Sequence, residues 1–199
     1  MVEKITTGFF FTNSYIISND KGEAIIIDCG FAYDKAYNII KDKYDVKAVL
    51  ITHGHFDHVD GLKFYTNIPV YMSKRTEEMI YDPYESLYDS VLDDSPFTND
   101  MLNICYAYDN SEIELIGFKI KCILTEGHAA GGMTYIIDNN IFSGDIIFEG
   151  GGYGRIDFPT GNYDILLQSI KKILSYPDDY IIYPGHNNTT TVKDEKKFY

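Results

Sequence analysis

Three histidines and one aspartate fall within six consecutive residues, His53-Gly54-His55-Phe56-Asp57-His58. Imidazole nitrogen and carboxylate oxygen are the ligands that divalent metals of borderline softness prefer. The chain has five histidines in all, and the other two, His128 and His186, each follow a glycine after a strand-like run. His53 and His55 are two residues apart, so in extended chain their side chains point the same way and can grip one ion. Asp57 and His58 lie just beyond, where the chain must turn. Adjacent residues seldom point alike, which makes a second ion, or a second face, geometrically natural. Any one of these histidines alone is better read as structural. Taken with Asp57 and Asp145, the set is read as a metal centre.

These residues need elements to hold them. Gly8 to Ser18 is aromatic and β-branched and reads as a strand, with Asn19-Asp20-Lys21-Gly22 as a hairpin turn. Glu23 to Asp28 carries Ala24-Ile25-Ile26-Ile27, a short apolar run typical of a buried strand. Asp34 to Tyr44 reads as a helix with Ala36, Ile39 and Ile40 on one face. Lys47 to Thr52 is again a strand, and the histidine cluster follows at once, where ligands collect in layered α/β architectures. A short helix is expected at Asp60 to Thr66, a strand at Pro69 to Met72, and at least one helix within Lys74 to Asp94, a stretch broken by Pro83 and Pro96.

The second half repeats the style. Glu112 to Leu124 suggests two strands around Gly117, and Tyr135–Asp138 and Asn140–Phe142 a hairpin through Asn139. Asn162 to Leu174 is the clearest amphipathic helix, with Ile165, Leu166, Ile170, Ile173 and Leu174 on one face. Tyr180 to Tyr183 reads as the final buried strand. Three strand ends in this half each deliver one candidate ligand after a glycine: Gly127-His128, Gly144-Asp145 and Gly185-His186. Strands then helix, twice over, predict a two-layer sheet core flanked by helices.

Composition bounds the function. The 199 residues suit a single domain, 1–199, and the net charge of −13 argues against a nucleic-acid partner; a small-molecule substrate is the expected partner. Cys29, Cys105 and Cys122 are an odd number with no CxxC spacing, so a disulfide framework is not expected and a reduced, cytoplasmic setting is. The N-terminus lacks the layout of a signal peptide, and no apolar run approaches the ~20 residues that span a bilayer, so no membrane partner is expected. Nothing in the pattern fixes an oligomeric state.

The ordered motifs Thr52-His53-Gly54-His55-Phe56-Asp57-His58, Gly127-His128, Phe142-Ser143-Gly144-Asp145, Gly154-Arg155-Ile156-Asp157 and Pro184-Gly185-His186 resemble those of metallo-β-lactamase-fold hydrolases, specifically the glyoxalase II-like (hydroxyacylglutathione hydrolase-like) branch. Asp28 resembles that family's strand-end aspartate. The resemblance implies an α/β, four-layer αββα sandwich with two divalent metals at one edge. By position, His53, His55 and His128 would hold the first metal, Asp57, His58 and His186 the second, and Asp145 would bridge them along with a water or hydroxide. Zinc is the first choice, with iron and manganese also suited to these ligands. The implied reaction is hydrolysis, above all of thioesters, by the bridging hydroxide, with Asp57 helping to orient it.

Two departures bear on substrate. The family's Gly-His-Thr-x-Gly reads Gly127-His128-Ala129-Ala130-Gly131 here, so a polar group near His128 is lost. Glyoxalase II enzymes also carry a helical C-terminal extension that helps bind glutathione, whereas this chain ends at Tyr199, soon after His186. Lactones and other acyl compounds are therefore the alternative substrates. An iron-dependent oxidoreductase and a non-catalytic metal-binding module on the same fold rank lower. β-Lactam cleavage ranks below thioester and lactone hydrolysis too, because the Asp57-His58-His186 set resembles the glyoxalase branch.

Other residues carry milder readings. Asp28 either caps its loop or supports the metal site. Arg155 and Asp157 are expected to pair and shape their loop, with substrate carboxylate contact by Arg155 as the alternative. Tyr153 either lines the pocket or packs on the surface. Gly150-Gly151-Gly152 reads as a flexible loop without the Lys-Ser/Thr of a phosphate cradle, the cysteines as core, and the tail Lys193 to Lys197 as solvated.

Overall fold

The computed structural model describes residues 1–92, 95–98 and 100–199. Two six-stranded sheets form its centre. The first runs β1-β2-β3-β4-β5-β6, from β1 (Val2–Thr7), β2 (Thr12–Ser18), β3 (Glu23–Ile27), β4 (Asp45–Leu50), β5 (Pro69–Met72) and β6 (Asn103–Tyr106). The second runs β12-β11-β10-β9-β8-β7, from β7 (Glu112–Leu115), β8 (Phe118–Leu124), β9 (Met133–Ile137), β10 (Asn140–Gly144), β11 (Ile181–Pro184) and β12 (Thr190–Thr191).

Side-chain alternation explains the layers. Ile25, Ile27, Ala48 and Leu50 pack between the sheets against Ile120, Cys122, Tyr135 and Phe142. Their neighbours Ala24, Ile26, Val49 and Ile51 face the other way, into a core shared with Ala36 and Ile40 of α1 (Asp34–Lys43) and Ile80 of α3 (Lys74–Tyr81). Ile141 and Ile182 of the second sheet pack outward on Leu166, Ile170 and Ile173 of α4 (Tyr163–Leu174). An unbroken apolar run thus serves two cores, as period-2 geometry requires of a strand buried on both faces. The result is the expected αββα sandwich.

Strand direction puts the motifs at one edge. β3, β4 and β5 are mutually parallel neighbours, so the loops after β3 and β4 emerge together. β10 and β11 are parallel, and β8 runs the same way because β9 is antiparallel to both β8 and β10. The loops carrying His128, Asp145 and His186 therefore also emerge together. The sheets are tied at this edge by main-chain bonds, Asn13 N–H to Gly185 O at 2.7 Å and Met133 N–H to Thr52 O at 2.7 Å.

Several expectations change. Gly8 to Ser18 is not one strand, because the chain reverses between Gly8 (φ +67°) and Phe11 (φ +54°), and the separate strand β1 precedes it. Ile39 is 60% exposed and lies off the buried face of α1, whereas Ala36 and Ile40 are on it. Ile165 likewise is 40% exposed, at the margin of the buried face of α4. The turn at Asp60–Phe64 is a 3-10 helix. The helix expected within Lys74–Asp94 is α3, while Asp93 and Asp94 lie outside the described residues. The tail is not simply solvated: Val192–Glu195 forms a helical turn, α5, and Glu195 is buried. Its carboxylate accepts from Gly150 N–H at 3.1 Å and Gly151 N–H at 2.7 Å, which pins the triple-glycine loop expected to be flexible.

Candidate metal centre

His53, His55, Asp57 and His58 come from the segment between β4 and the end of the short helix α2 (Phe56–Val59). His128 follows β8, Asp145 follows β10 and His186 follows β11. All seven residues converge at one edge of the sandwich, and five of them, His55, Asp57, His128, Asp145 and His186, line one pocket. Three groups have ligand atoms within 4.8 Å of one another: His53, His55 and His128; His53, His58 and Asp145; and Asp57, His58 and His186. Asp145 sits in the middle, its carboxylate 3.4 Å from His58 Nε2, 3.5 Å from His128 Nε2 and 3.4 Å from His186 Nε2. Asp57 Oδ2 lies 3.4 Å from His186 Nε2 and 3.7 Å from His58 Nε2.

The outer nitrogens fix the rings. His128 Nδ1–H donates to the Arg155 carbonyl at 2.7 Å, and His186 Nδ1–H to the Phe10 carbonyl at 3.0 Å. His58 Nδ1–H donates to Asp28 Oδ2 at 2.8 Å. Thr52 Oγ1 gives its own proton to Asp28 Oδ2 at 2.7 Å, so it accepts from His53 Nδ1–H at 3.1 Å. In all four rings, therefore, the Nε2 side is turned to the cluster. His55 differs, presenting Nδ1 to His128 Nε2 at 2.9 Å.

Asp28 thus supports the site directly. It is buried, holds both the amide and hydroxyl of Thr52, and orients His58. It does so from left-handed backbone (φ +58°), a conformation that aspartate tolerates better than most residues. Asp28→Asn is expected to weaken metal binding by roughly 10- to 100-fold, because one amide face must meet a donor. Competition against a chromophoric chelator measures this, and an unchanged affinity would refute the supporting role.

Thr12 and Phe10 escaped the sequence reading. Thr12 Oγ1–H donates to Asp57 Oδ2 at 2.8 Å, and Phe10 acts through its carbonyl. Neither carried a signal, because a threonine in a strand and a main-chain oxygen look alike whether or not a ligand leans on them. Arg155 and Asp157 do pair, with Nε and Nη2 at 2.9 and 2.6 Å from the carboxylate. Tyr153 lines the pocket wall and packs on Tyr163, with ring centroids 5.9 Å apart.

The electrostatics suit cations. His53 Nε2, His58 Nε2 and Asp145 Oδ1 are buried without a hydrogen-bond partner among the described residues. Such orphaned groups are costly unless something engages them, and a lone pair beside a carboxylate suits a metal ion. Burial, reinforced by neighbouring imidazoles, holds His53 well below its ordinary range and takes His55 down to about 3. Burial also lowers His128. At His58 burial acts the same way, but Asp57, Asp145 and Asp28 override it and lift the ring to about 9. At His186 burial is likewise overridden by Asp145 and Asp57, to about 11. Burial would raise Asp57, but His58 and His186 bring it down to about 2, and His186 and His58 hold Asp145 well below its usual range.

Residues 7–186 match the metallo-beta-lactamase superfamily, and the chain belongs to it as a metallo-hydrolase, a class whose fold binds divalent metals. It is 30% identical to the hydroxyacylglutathione hydrolase GloC of Haemophilus influenzae, over 98% of this chain and 95% of that relative. Among solved structures it resembles the BLEG-1 B3 metallo-beta-lactamase at 28% identity and a TM-score of 0.90, covering 99% of this chain and 97% of that one. It also resembles TTHA1623, solved in a di-iron-bound form, at 26% identity and a TM-score of 0.82, covering 99% and 98%.

Proposed function

We propose that the protein is a dinuclear, metal-dependent hydrolase of thioesters, acting on small molecules in the cytoplasm. The observation that carries this is the convergence of seven ligand side chains with orphaned nitrogens turned inward. In this reading His53, His55 and His128 would hold one metal and Asp57, His58 and His186 the other, with Asp145 available to both. Two bound cations, zinc or else iron or manganese, would supply Lewis acidity and lower the pKa of water.

The chain's own residues do the rest. Asp57 stays ionised and is held by Thr12, which suits it to orient the attacking water and share its proton. The aromatic wall formed by Phe10, Phe148 and Phe158 limits water around the reacting carbonyl. A thiolate leaves without strong acid assistance, so a thioester places little demand on a general acid. Free cysteines fit a reducing compartment, and no helix among the described residues is long and apolar enough to cross a membrane. The net charge of −13 disfavours nucleic acid.

Elemental analysis paired with hydrolysis of S-lactoylglutathione, other thioesters and lactones tests the proposal. About two metals per chain with thioester turnover supports it. Turnover confined to lactones or lactams supports the second reading, an acyl hydrolase of cyclic substrates, which the likeness to BLEG-1 favours. A fully loaded protein that cleaves none of them overturns both.

The two metal sites differ in acid sensitivity. The three imidazoles proposed for the first metal are already neutral near pH 7, whereas His58 and His186 must each lose a proton to bind the second. Below about pH 9 affinity at the second site should therefore fall by up to about 100-fold per pH unit. Dialysis at stepped pH followed by metal analysis should show two metals, then one, then none. Simultaneous loss would contradict the assignment.

A further inference from the structure

We propose that the pocket takes uncharged acyl substrates bearing an aromatic or aliphatic group, and that the Arg155–Asp157 pair denies an anionic carrier the one cation on its wall. This rests on the hydrolase reading of the same site. The cavity over the metal-ligand cluster has a volume of about 280 Å³, at the small end of ligand pockets. Its wall is built onto the metal-binding imidazoles. The Phe158 ring meets His55 edge-on at 5.4 Å and His128 at 6.3 Å, and Phe148 meets His186 at 5.9 Å. Phe10, whose carbonyl orients His186, packs edge-on against Phe56 at 5.1 Å and remains 46% exposed to the cavity mouth. A carbonyl that reaches the cluster must bring its neighbouring groups past these rings. Apolar or aromatic groups gain from that contact, and charged ones lose hydration.

Charge on the wall points the same way. Apart from the candidate metal ligands, Arg155 is the only cationic side chain among the described residues lining this cavity. A carrier thiol with carboxylates would need it. Its guanidinium is instead committed, with two parallel bonds to Asp157 and its face 4.3 Å from the centre of the Phe158 ring. Two-thirds exposed on both sides, this pair contributes little to stability, so charge cancellation is its main effect. The planar fork that would clasp a substrate carboxylate is filled by an internal one. The overall charge of −13 adds a long-range bias against anions.

Two non-cleavable thioethers with the same aromatic group test this on the metal-loaded protein: S-benzyl-N-acetylcysteamine, which is neutral, and S-benzylglutathione, which is anionic. Calorimetry should show the neutral compound binding at least about tenfold tighter. Asp157→Asn frees Arg155 and should move the ratio toward the anionic compound by roughly two- to fivefold. Phe158→Ala should weaken the neutral compound by roughly tenfold, with metal content measured alongside. Equal or tighter binding of the anionic thioether, or a ratio that Asp157→Asn leaves unmoved, overturns the inference. The corresponding thioesters separate the two layers of argument. The neutral preference without turnover of any thioester counts against the hydrolase reading alone. Turnover with the preference reversed counts against the pocket inference alone.

Discussion

Asp145→Asn is expected to abolish most activity, by roughly 10³-fold, because several kcal/mol of cation-based stabilisation are lost with a displaced metal. The carboxylate reaches three imidazoles from the middle of the cluster, and the amide that replaces it has the same shape but no charge. One of its two faces becomes a donor, directed at nitrogens whose lone pairs are needed. On the dinuclear reading, metal content should drop from about two per chain to one or fewer. Retained metal with a full rate would remove Asp145 from the centre of the site. A variant that unfolds is distinguished by its thermal transition, measured with and without added zinc.

The second large effect needs no change in any ligand. At Gly185 an added Cβ would overlap Asp145 Oδ1 and come within 2.6 Å of His58 Cε1. Gly185 does not use left-handed backbone, so alanine is conformationally acceptable there and the conflict is purely one of space. Both neighbours are buried, and His58 is also held by its bond to Asp28, so the clash is not relieved cheaply. Gly185→Ala is expected to cut metal affinity by roughly 10- to 100-fold, as lost ligand orientation does, with the metal-free protein still folded. Wild-type metal retention and turnover in this variant would show that the edge is looser than the packing implies.

Much of the site can be read from the chain, and the reason is geometric. His53, His55, Asp57 and His58 follow a strand whose apolar run is unmistakable, and a strand end is a place where side chains leave the sheet layer. The glycines before His128, Asp145 and His186 mark sharp exits of the same kind. Long-range partners are harder. Thr12 and the Phe10 carbonyl meet Asp57 and His186 across 45 and 176 residues of chain, respectively, and no local pattern encodes such a meeting. The merged strand from Gly8 to Ser18 went wrong because three consecutive phenylalanines have strong β propensity, while the reversal there depends on backbone angles rather than composition. β6 was missed because Asn103–Tyr106 is short and only half buried. Glu195 looked like part of a charged tail, yet its carboxylate satisfies two amides and the Thr190 hydroxyl. A charged residue reveals such a role only through its partners.

Four of the seven candidate ligands follow a strand of the first sheet and three follow strands of the second. Ions held there would act as cross-links between halves of the chain far apart in sequence, formed only after both halves have met. A bound ion that the unfolded chain cannot grip shifts the folding balance by about 4 kcal/mol at a thousandfold excess over its dissociation constant. That is a large share of the 5–15 kcal/mol typical of a folded domain. Scarcity of metal would then be felt as a loosened seam between the sheets and faster turnover of the polypeptide. The same seven side chains would set how long the protein lasts as well as what it does.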